Sequence, residues 1–141
     1  MLKYFDEFYM SDDKNILLDR CVEISDLLRN AYWAKDRDTS TMRNAIANSL
    51  NYAIFETNSK RIVGFARVIT DFATSFYLCD VFIDENFRGL GLGKTLVEWI
   101  ILYEEKLSNI NGLLKTRDAK SLYEKYCFEE CEAICMTLKR N

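Results

Sequence analysis

The chain reads CDVFIDENFRGLGLGK from Cys79 to Lys94. This stretch begins with an apolar run that predicts a strand. It continues through a short turn with glycines at every second position and passes directly into an amphipathic helix. Glycines let the backbone approach a ligand closely and turn its N–H groups outward. Because a helix N-terminus adds unpaired donors and the positive end of a macrodipole, the glycine turn (residues 88–94) is typical of a phosphate-binding site.

Three phosphate-binding patterns compete for these residues, and their spacing separates them. Gly93-Lys94-Thr95 matches the end of the nucleoside-triphosphate loop, but that loop needs a glycine where the chain has Arg88. The dinucleotide fingerprint needs its last glycine at the position of Lys94. The third pattern has Arg or Gln, two residues, Gly, one residue, and then Gly or Ala. It fits without adjustment as Arg88, Gly91 and Gly93.

The third pattern resembles the acetyl-CoA loop of the GNAT-type N-acetyltransferases. A second segment, residues 116–128, is similar to the family's late signature, an Ala-x-x-x-Tyr-Glu-Lys helix that ends in Gly-Phe. The two segments stand in the family's order, and the resemblance covers about residues 52–138. The chain departs from the pattern twice: Cys127 replaces the helix-ending glycine, and Thr116 stands where many members carry a cofactor-contacting asparagine.

The resemblance implies that acetyl-CoA binds as co-substrate, without a metal ion. The family stabilises the oxyanion with backbone N–H groups of the preceding strand, and Val81 and Ile83 hold those positions, seven and five residues before Arg88. One such preorganised donor can contribute roughly 3 kcal/mol in the transition state. The residues implied to bind the cofactor are Val81, Phe82, Ile83, Arg88, Gly89, Leu90, Gly91, Leu92, Gly93, Lys94 and Thr116.

Two side chains are the candidate catalytic groups. The family position of Tyr123 implies a general acid for the departing thiolate; the residue alone fits packing at the core edge equally well. Asp80, the one carboxylate in an otherwise apolar strand, is the candidate base, because an amine with a pKa near ~10.4 is protonated at pH 7. Strand alternation places Asp80 opposite Val81 and Ile83 unless a bulge intervenes. The alternative is a buried aspartate that holds backbone or a nearby arginine.

Other groups compete for these roles. Glu85 and Asp71 are weaker candidate bases, and a chain of water molecules could replace them. Cys79 is expected on the face of Val81 and Ile83, which raises a covalent acetyl-cysteine route. Because the chain contains no histidine to activate a thiol, direct attack by the amine is favoured.

The acceptor amine is assigned to Tyr32, Trp33 and Asp71. Tyr32 and Trp33 lie in a charged junction with Asp36 and Asp38, and aromatic faces beside carboxylates suit an incoming cation. The same region often walls the acceptor site in the family. A hydrophobic plug between the first helices and the sheet is the alternative interpretation.

Composition limits the class of protein. With 141 residues, 49% of them hydrophobic and 29% charged, the chain is expected to form one globular domain over residues 1–141. A net charge of −3 argues against nucleic-acid binding. No apolar run reaches the roughly 20 residues of a membrane span, so no membrane partner is expected. The N-terminus lacks a secretory apolar stretch, which predicts a cytoplasmic protein.

The five cysteines show no disulfide or metal spacing. Cys127, Cys131 and Cys135 recur every four residues, but on a strand this spacing separates neighbours by roughly 13 Å, too far to share an ion. Reduced thiols are therefore expected. The absence of histidine also removes histidine-dependent triads and metal sites, leaving carboxylates, Tyr, Lys, Cys and water as proton carriers.

Apolar periodicity predicts the order of elements. It indicates a strand or extended arm within residues 4–18, a helix over 17–29, and a second helix, capped within residues 38–41, to about residue 50. Strands are predicted at 52–55, 62–70, 74–83 and 112–114, a helix capped by Asp118 to residue 126, and a last strand or hairpin at 128–138. The predicted class is α/β: a central mixed, mostly antiparallel twisted sheet with helices on both faces, as in the GNAT fold.

The sequence therefore favours an N-acetyltransferase that moves an acetyl group from acetyl-CoA to a primary amine of a small molecule or a protein. A non-catalytic coenzyme-A-binding regulatory module is the alternative from another class, and a nucleotide-binding protein is a third reading. Consumption of acetyl-CoA separates the first two, and ATP binding would favour the third. A homodimer is left open.

Overall fold

The computed structural model describes residues 2–140, whose strands form one six-stranded sheet in chain order. Neighbouring strands are antiparallel except the last two, which are parallel, so the predicted mixed, mostly antiparallel sheet is confirmed. The strands are β1 (Leu2–Phe5), β2 (Phe8–Ser11), β3 (Leu50–Glu56), β4 (Ile62–Thr70), β5 (Ser75–Ile83) and β6 (Asn111–Leu113).

Helices cover both faces of the sheet, as predicted. The first three pack Leu17, Ile24 and Ile46 against Phe65 on one face, and the fourth packs Leu96 on the other. The helices are α1 (Lys14–Asp19), α2 (Cys21–Leu28), α3 (Thr39–Ala47), α4 (Leu92–Glu98), which continues as the π-helical turn Trp99–Tyr103, and α5 (Lys120–Glu124). Short 3₁₀ turns lie at Glu85–Phe87 and Glu105–Leu107.

The structure refines the sequence boundaries at the first helices. The helix predicted over residues 17–29 is two helices that meet at Arg20, where the backbone leaves helical conformation with φ −98° and ψ 17°. Asp38 caps α3 by accepting a hydrogen bond from the N–H of Thr41 at 2.7 Å, which confirms the predicted start of that helix. The region 4–18, predicted as a strand or arm, contributes the β1–β2 hairpin and α1.

A bulge in β5 at Asp80 determines what each face of the sheet presents. Phe65 pairs with Phe82 and Arg67 pairs with Cys79, so two steps along β4 correspond to three along β5. Asp80 adopts φ +53°, a left-handed conformation that aspartate tolerates better than most residues. After this extra residue, the side chains of β5 point to the faces of the sheet opposite to those that regular alternation would give them.

The reversal is visible in the packing. Leu78 lies in the cluster with α4, whereas Phe82, four residues later, lies in the cluster with α1–α3. Val81 and Ile83 pack on the α4 side. The predicted placement of Cys79 with Val81 and Ile83 is therefore wrong, because Cys79 lies before the bulge and shares the opposite face with its pairing partner Arg67.

The two parallel strands separate after a short contact. β6 pairs with β5 only from Asn111 opposite Ser75 to Leu113 opposite Tyr77. β5 then continues to Ile83 without a partner strand on that side among the described residues, so no described strand covers this edge. The uncovered edge includes the bulge at Asp80 and ends directly before the glycine turn.

Two predictions about the C-terminal region are wrong. Asp118 does not cap α5: the N-cap is Ala119, and its N–H donates to the Thr116 hydroxyl at 3.0 Å. Residues 128–138 form no strand, and Ile134 and Met136 are 88% and 89% exposed. Alternation alone does not make a strand, because backbone polar groups must find partners, and this segment pairs with no strand of the described chain.

Cys127 forms the turn that glycine forms in the family pattern. It adopts φ +68°, the left-handed conformation that usually ends a helix at glycine. Its N–H donates to the Glu124 carbonyl at 3.3 Å, and the N–H of Phe128 donates to the Tyr123 carbonyl at 3.3 Å. These two bonds close α5 in the Schellman arrangement, so the turn is kept despite the substitution.

We predict that Cys127→Gly stabilises the fold by about 1 kcal/mol, because glycine adopts this conformation without a Cβ penalty. Urea unfolding of the purified protein measures the difference. Cys127→Ala is the matched control, since it removes the thiol, keeps the Cβ and should unfold near the wild-type midpoint. A glycine variant no more stable than the alanine variant would contradict the prediction.

Candidate active site

A cavity of about 560 Å³ opens beside the β5 bulge. We call it the Asp80 cavity. Its walls come from β4 and β5, the segment after α2, and the segment between β6 and α5. It brings together six of the residues predicted from the sequence: Tyr32, Trp33, Asp80, Val81, Thr116 and Tyr123.

Asp80 is the most constrained side chain of the cavity, with 1% of its side chain exposed. One carboxylate oxygen accepts a hydrogen bond from the Trp33 indole N–H at 2.9 Å. The other accepts from Arg37 at 2.7 Å and from Arg67 at 2.9 Å. Arg67 also donates to the Ser49 hydroxyl at 3.1 Å. The carboxylate thus ties two separate segments, β4 and the segment after α2, to the bulge.

These contacts oppose the role of proton acceptor. Burial raises the pKa of Asp80, but the charge of Arg67 and the hydrogen bond and charge of Arg37 outweigh burial, so the pKa lies below its usual value. A carboxylate with a lowered pKa and both oxygens engaged is a poor base for an ammonium group. The geometry favours the alternative of a buried aspartate that holds arginines.

Tyr123 lies in the wall of the same cavity and is 8% exposed. Burial raises its pKa to about 12, with smaller contributions from Asp118 and Tyr32. Its hydroxyl is therefore protonated at any physiological pH and can donate a hydrogen bond. Its ring meets Phe128 edge-to-face at 6.0 Å between centroids, so the tyrosine is also a packing residue, as the alternative reading held.

The glycine turn lies at the other end of β5, outside the Asp80 cavity. Gly89 and Gly91 adopt φ +81° and +78°, and a Cβ on either would meet no atom within 4 Å. Gly91 is the N-cap of α4, and no side chain of the described residues caps that helix. The first-turn N–H groups therefore have no side-chain cap among the described residues, as a phosphate site at a helix N-terminus requires.

Arg88 and Thr95 fix the shape of the turn. The Arg88 Nε donates to the Ile83 carbonyl at 3.2 Å, and its guanidinium lies 5.2 Å from the centroid of the Phe82 ring. The Thr95 hydroxyl donates to the Gly91 carbonyl at 2.9 Å. The turn is thus bound to the end of β5 on one side and to α4 on the other. Phe82 itself is a core side chain packed on the α1–α3 face.

Asp71 does not belong to the site. It lies in the turn between β4 and β5, and it does not line the Asp80 cavity. Its carboxylate accepts from the Thr74 hydroxyl at 2.6 Å and from the N–H groups of Thr74 and Ala73 at 2.8 and 2.9 Å. These bonds lower the pKa of Asp71 and hold the hairpin turn. Its assignment to the acceptor site is corrected for this reason.

The Cys79 thiol is a poor nucleophile in this environment. It lines the cavity, but burial raises its pKa to about 11, with Arg67 opposing and Asp80 adding to the effect. A thiol with so high a pKa carries almost no thiolate at neutral pH. The geometry therefore supports the expectation that the amine attacks directly.

Sequence reasoning missed the basic side chains of the cavity, which are Arg37, Arg67, Lys115 and Arg117. The sequence contained one indication of a buried arginine. Arg67 is the one charged residue of β4 and Asp80 the one charged residue of β5, and two lone opposite charges in adjacent apolar strands predict a buried pair. Arg37 and Arg117 lie outside regular elements, and no pattern marked them.

Comparison with known proteins agrees with this geometry. The sequence matches the family described as acetyltransferase (GNAT) domain over residues 48–130. It is 32% identical over 129 residues to an uncharacterized N-acetyltransferase, ycf52, of Pyropia yezoensis, covering 88% of this chain and 71% of that protein. It is 35% identical over 72 residues to histone acetyltransferase TAP1 of Glycine max, covering 50% of this chain and 31% of that protein.

Solved structures show the same relationship. A GNAT-family protein from Xanthomonas campestris superimposes with a TM-score of 0.81 at 32% identity, and the alignment covers 96% of each chain. The chain therefore belongs to the GNAT acetyltransferase family, and its fold is the GNAT fold.

Two further observations concern residues 2–140. No helix among them is long and apolar enough to cross a bilayer. No three histidine, cysteine, aspartate or glutamate side chains among them lie close enough together to hold a metal ion.

We predict that Asp80→Asn lowers the free energy of unfolding at pH 7 by about 3 kcal/mol, because it leaves two partly buried arginines without their counter-ion. Since the folded pKa of Asp80 is lowered, its stabilisation is complete above the unfolded pKa near ~4 and is lost as pH falls through the folded pKa. The difference between wild type and variant should therefore shrink below about pH 4.

Denaturant unfolding between pH 7 and pH 3 measures both effects. Asp26→Asn is the control, because Asp26 pairs with Arg29 on the exposed surface and its loss should cost under about 1 kcal/mol. Equal stability of the Asp80 variant and wild type at pH 7 would show that the pairing is not what holds the bulge.

Proposed function

We propose that this protein transfers the acetyl group of acetyl-CoA to a primary amine by direct attack. The observation that carries the proposal is the arrangement along β5. A helix N-terminus with open glycines lies at the end of this strand, and a cavity with a buried tyrosine lies at its bulge. The edge of β5 that no described strand covers runs from the bulge to the end of the strand.

The glycine turn is the proposed pyrophosphate site. Its N–H groups at the start of α4 have no side-chain cap, and its two left-handed glycines leave the space in front of them open. Backbone donors and the helix dipole favour an anion at this place. Acetyl-CoA, when bound here, supplies the activated acetyl thioester.

The unpaired edge of β5 is the proposed path from the glycine turn to the cavity. Val81 lines the cavity directly after the bulge, and Ile83 lies between the cavity and the turn. We propose that backbone N–H groups of this segment, those of Val81 and Ile83, stabilise the negative charge that develops on the thioester oxygen. Thr116 also lines the cavity, and it stands at the sequence position of the asparagine in the family pattern.

Tyr123 is the proposed donor to the departing sulfur. A hydroxyl whose pKa is about 12 transfers its proton to a free thiolate unfavourably, because the parent thiol has a pKa near ~8.5. A positioned hydrogen bond to the sulfur, strengthened as charge develops, still lowers the barrier. We therefore assign Tyr123 as hydrogen-bond donor first and proton donor second.

The acceptor is a primary amine of a small molecule or a protein. Both kinds of acceptor occur in the names of related proteins: TAP1 is a histone acetyltransferase, and a structural neighbour from Arabidopsis thaliana is a glucosamine-6-phosphate N-acetyltransferase, with a TM-score of 0.72 at 18% identity. A cytoplasmic location and a homodimer stay predictions.

The decisive experiment is amine-dependent release of free thiol from acetyl-CoA. Turnover with a panel of primary amines would support catalysis, and intersecting initial-rate plots would support direct transfer in a complex of both substrates. Parallel plots would indicate an acetyl-enzyme. Tight acetyl-CoA binding without consumption under any amine would instead favour the non-catalytic regulatory module.

We predict that Gly91→Val weakens acetyl-CoA binding at least tenfold. A β-branched residue at φ +78° forces the turn to change, because the conformation is strained for any side chain even where space is open. Isothermal calorimetry gives the two affinities. Gly93→Ala is the matched control: a Cβ there makes an ordinary 3.7 Å contact with Ile83, and the family pattern accepts alanine. Wild-type affinity in the valine variant would refute the phosphate assignment.

Tyr123→Phe should lower kcat about a hundredfold while acetyl-CoA affinity stays within a few fold, because the ring remains and only the donor is lost. Tyr126→Phe is the control, since that tyrosine lies two residues after the same helix, and its hydroxyl contacts only the Lys94 carbonyl, at 3.5 Å, among the described residues. If both variants keep kcat within twofold with chemistry rate-limiting, Tyr123 is a packing residue.

A further inference from the structure

We propose that the acceptor amine carries an anionic group, a carboxylate or a phosphate ester, and that Arg37 and Arg67 bind it in the Asp80 cavity. This inference rests on the proposed function and names the chemical class of its second substrate. It replaces the cationic acceptor that the sequence suggested.

The pair of arginines is fixed in place before any substrate arrives. Both guanidinium groups donate to the same oxygen of Asp80, at 2.7 and 2.9 Å. Their side chains are 23% and 11% exposed, so each is mostly buried and both line the cavity. Because Asp80 carries one charge and the arginines two, the group as a whole presents a positive charge to the cavity.

Donors remain available on both arginines. Arg37 uses Nη1 for Asp80 and for the Met42 sulfur, and Arg67 uses Nε for Asp80 and Nη1 for Ser49. The Nη2 groups have no hydrogen-bond partner among the described residues. Guanidinium groups bind carboxylate and phosphate through paired N–H donors, so this is the chemistry the cavity can offer a ligand.

The other charged residues that line the cavity are also mostly positive. The cavity is lined by four basic residues and two acidic ones, and the additional basic pair is Lys115 and Arg117. Asp118 is the second acid, and Asp80 is already paired. An anionic substituent would be attracted by this excess of positive charge, and an acceptor with further positive charges would be repelled.

The aromatic face expected to receive a cation is occupied. The guanidinium of Arg117 lies 3.7 Å from the centroid of the Tyr32 ring, the distance of direct stacking. Trp33 turns its N–H to Asp80 and meets Tyr32 and Phe82 edge-to-face. The chain's own arginine therefore takes the place that an incoming ammonium group would need.

The positive charge of the cavity also affects how the acceptor amine loses its proton, which matters because Asp80 is a poor base. A neighbouring cation lowers the pKa of an ammonium group, because it disfavours the charged form. The anionic end of the acceptor, once bound, neutralises the net charge of Arg37, Arg67 and Asp80. Lys115 and Arg117 still line the same cavity, and beside them the amine would lose its proton to water more readily. The cavity can thus supply a neutral amine although Asp80 is engaged.

The test compares matched acceptors in the thiol-release assay. The pairs are ω-amino acids of increasing length against their carboxamides, and ethanolamine phosphate against ethanolamine; 1,4-diaminobutane represents a cationic acceptor. We expect kcat/KM for the best anionic member to exceed that of its neutral partner at least tenfold. The carboxylate and phosphate pairs show which anion the site accepts.

Arg37→Gln should reduce this preference to about twofold, and Arg37→Lys should restore part of it. Arg67 then still pairs with Asp80, so the bulge is kept. Arg29→Gln is the control, because Arg29 forms an exposed pair with Asp26 and does not line the cavity. It should leave the preference at the wild-type value.

A separate measurement distinguishes failure of this inference from failure of the proposed function. Calorimetric titration of the protein with propionate and with inorganic phosphate should show binding that weakens at least tenfold in Arg37→Gln, whether or not any amine is turned over. Absence of turnover with retained Arg37-dependent anion binding overturns the transfer reaction alone. Equal use of neutral or cationic amines, or anion binding that is absent or independent of Arg37, overturns the anionic-acceptor proposal.

Discussion

The bulge at Asp80 is the constraint on which the rest of the site depends. One extra residue in β5 reverses the strand's alternation, so that Leu78 and Phe82 pack on opposite faces of the sheet. The positive φ of Asp80 costs backbone free energy, and the buried carboxylate costs more. Both costs are offset by hydrogen bonds from Trp33, Arg37 and Arg67, so the bulge, the arginines and the wall of the cavity form one arrangement.

The sequence was sufficient to predict those features whose structure depends on neighbouring residues in the chain. The bounds of β4 and the glycine turn at the start of α4 follow from apolar runs and from glycines at positive φ. The structure also brings Trp33, Asp80 and Tyr123 together in one cavity, and the roles of Trp33 and Tyr123 stay predictions. These features can be predicted because each is encoded within a few neighbouring residues, or within two motifs whose order fixes the topology.

The remaining features depend on tertiary partners. A bulge can be suspected from a lone aspartate in an apolar strand, but its conformation is set by Arg67 on the neighbouring strand and by Arg37 from another segment. Cys127 stands where the family pattern has glycine, yet the two closing hydrogen bonds hold it at φ +68°. The alternating apolar residues after Phe128 predict a strand, but a strand also requires a partner, and Ile134 and Met136 are exposed instead.

The charges of the cavity bear on the proposed transfer to an amine, because the chain contains no histidine to act as a base. Asp80, the obvious base, is committed to the bulge, and Tyr123, with a pKa of about 12, can only donate. Neither residue removes a proton from an ammonium group at neutral pH. In the proposed reaction, Lys115 and Arg117, the other basic residues of the cavity, would lower the pKa of the bound amine and let water carry its proton away. Arg37 and Arg67 would then select the anionic acceptor, and the rest of the basic wall would prepare its nucleophile.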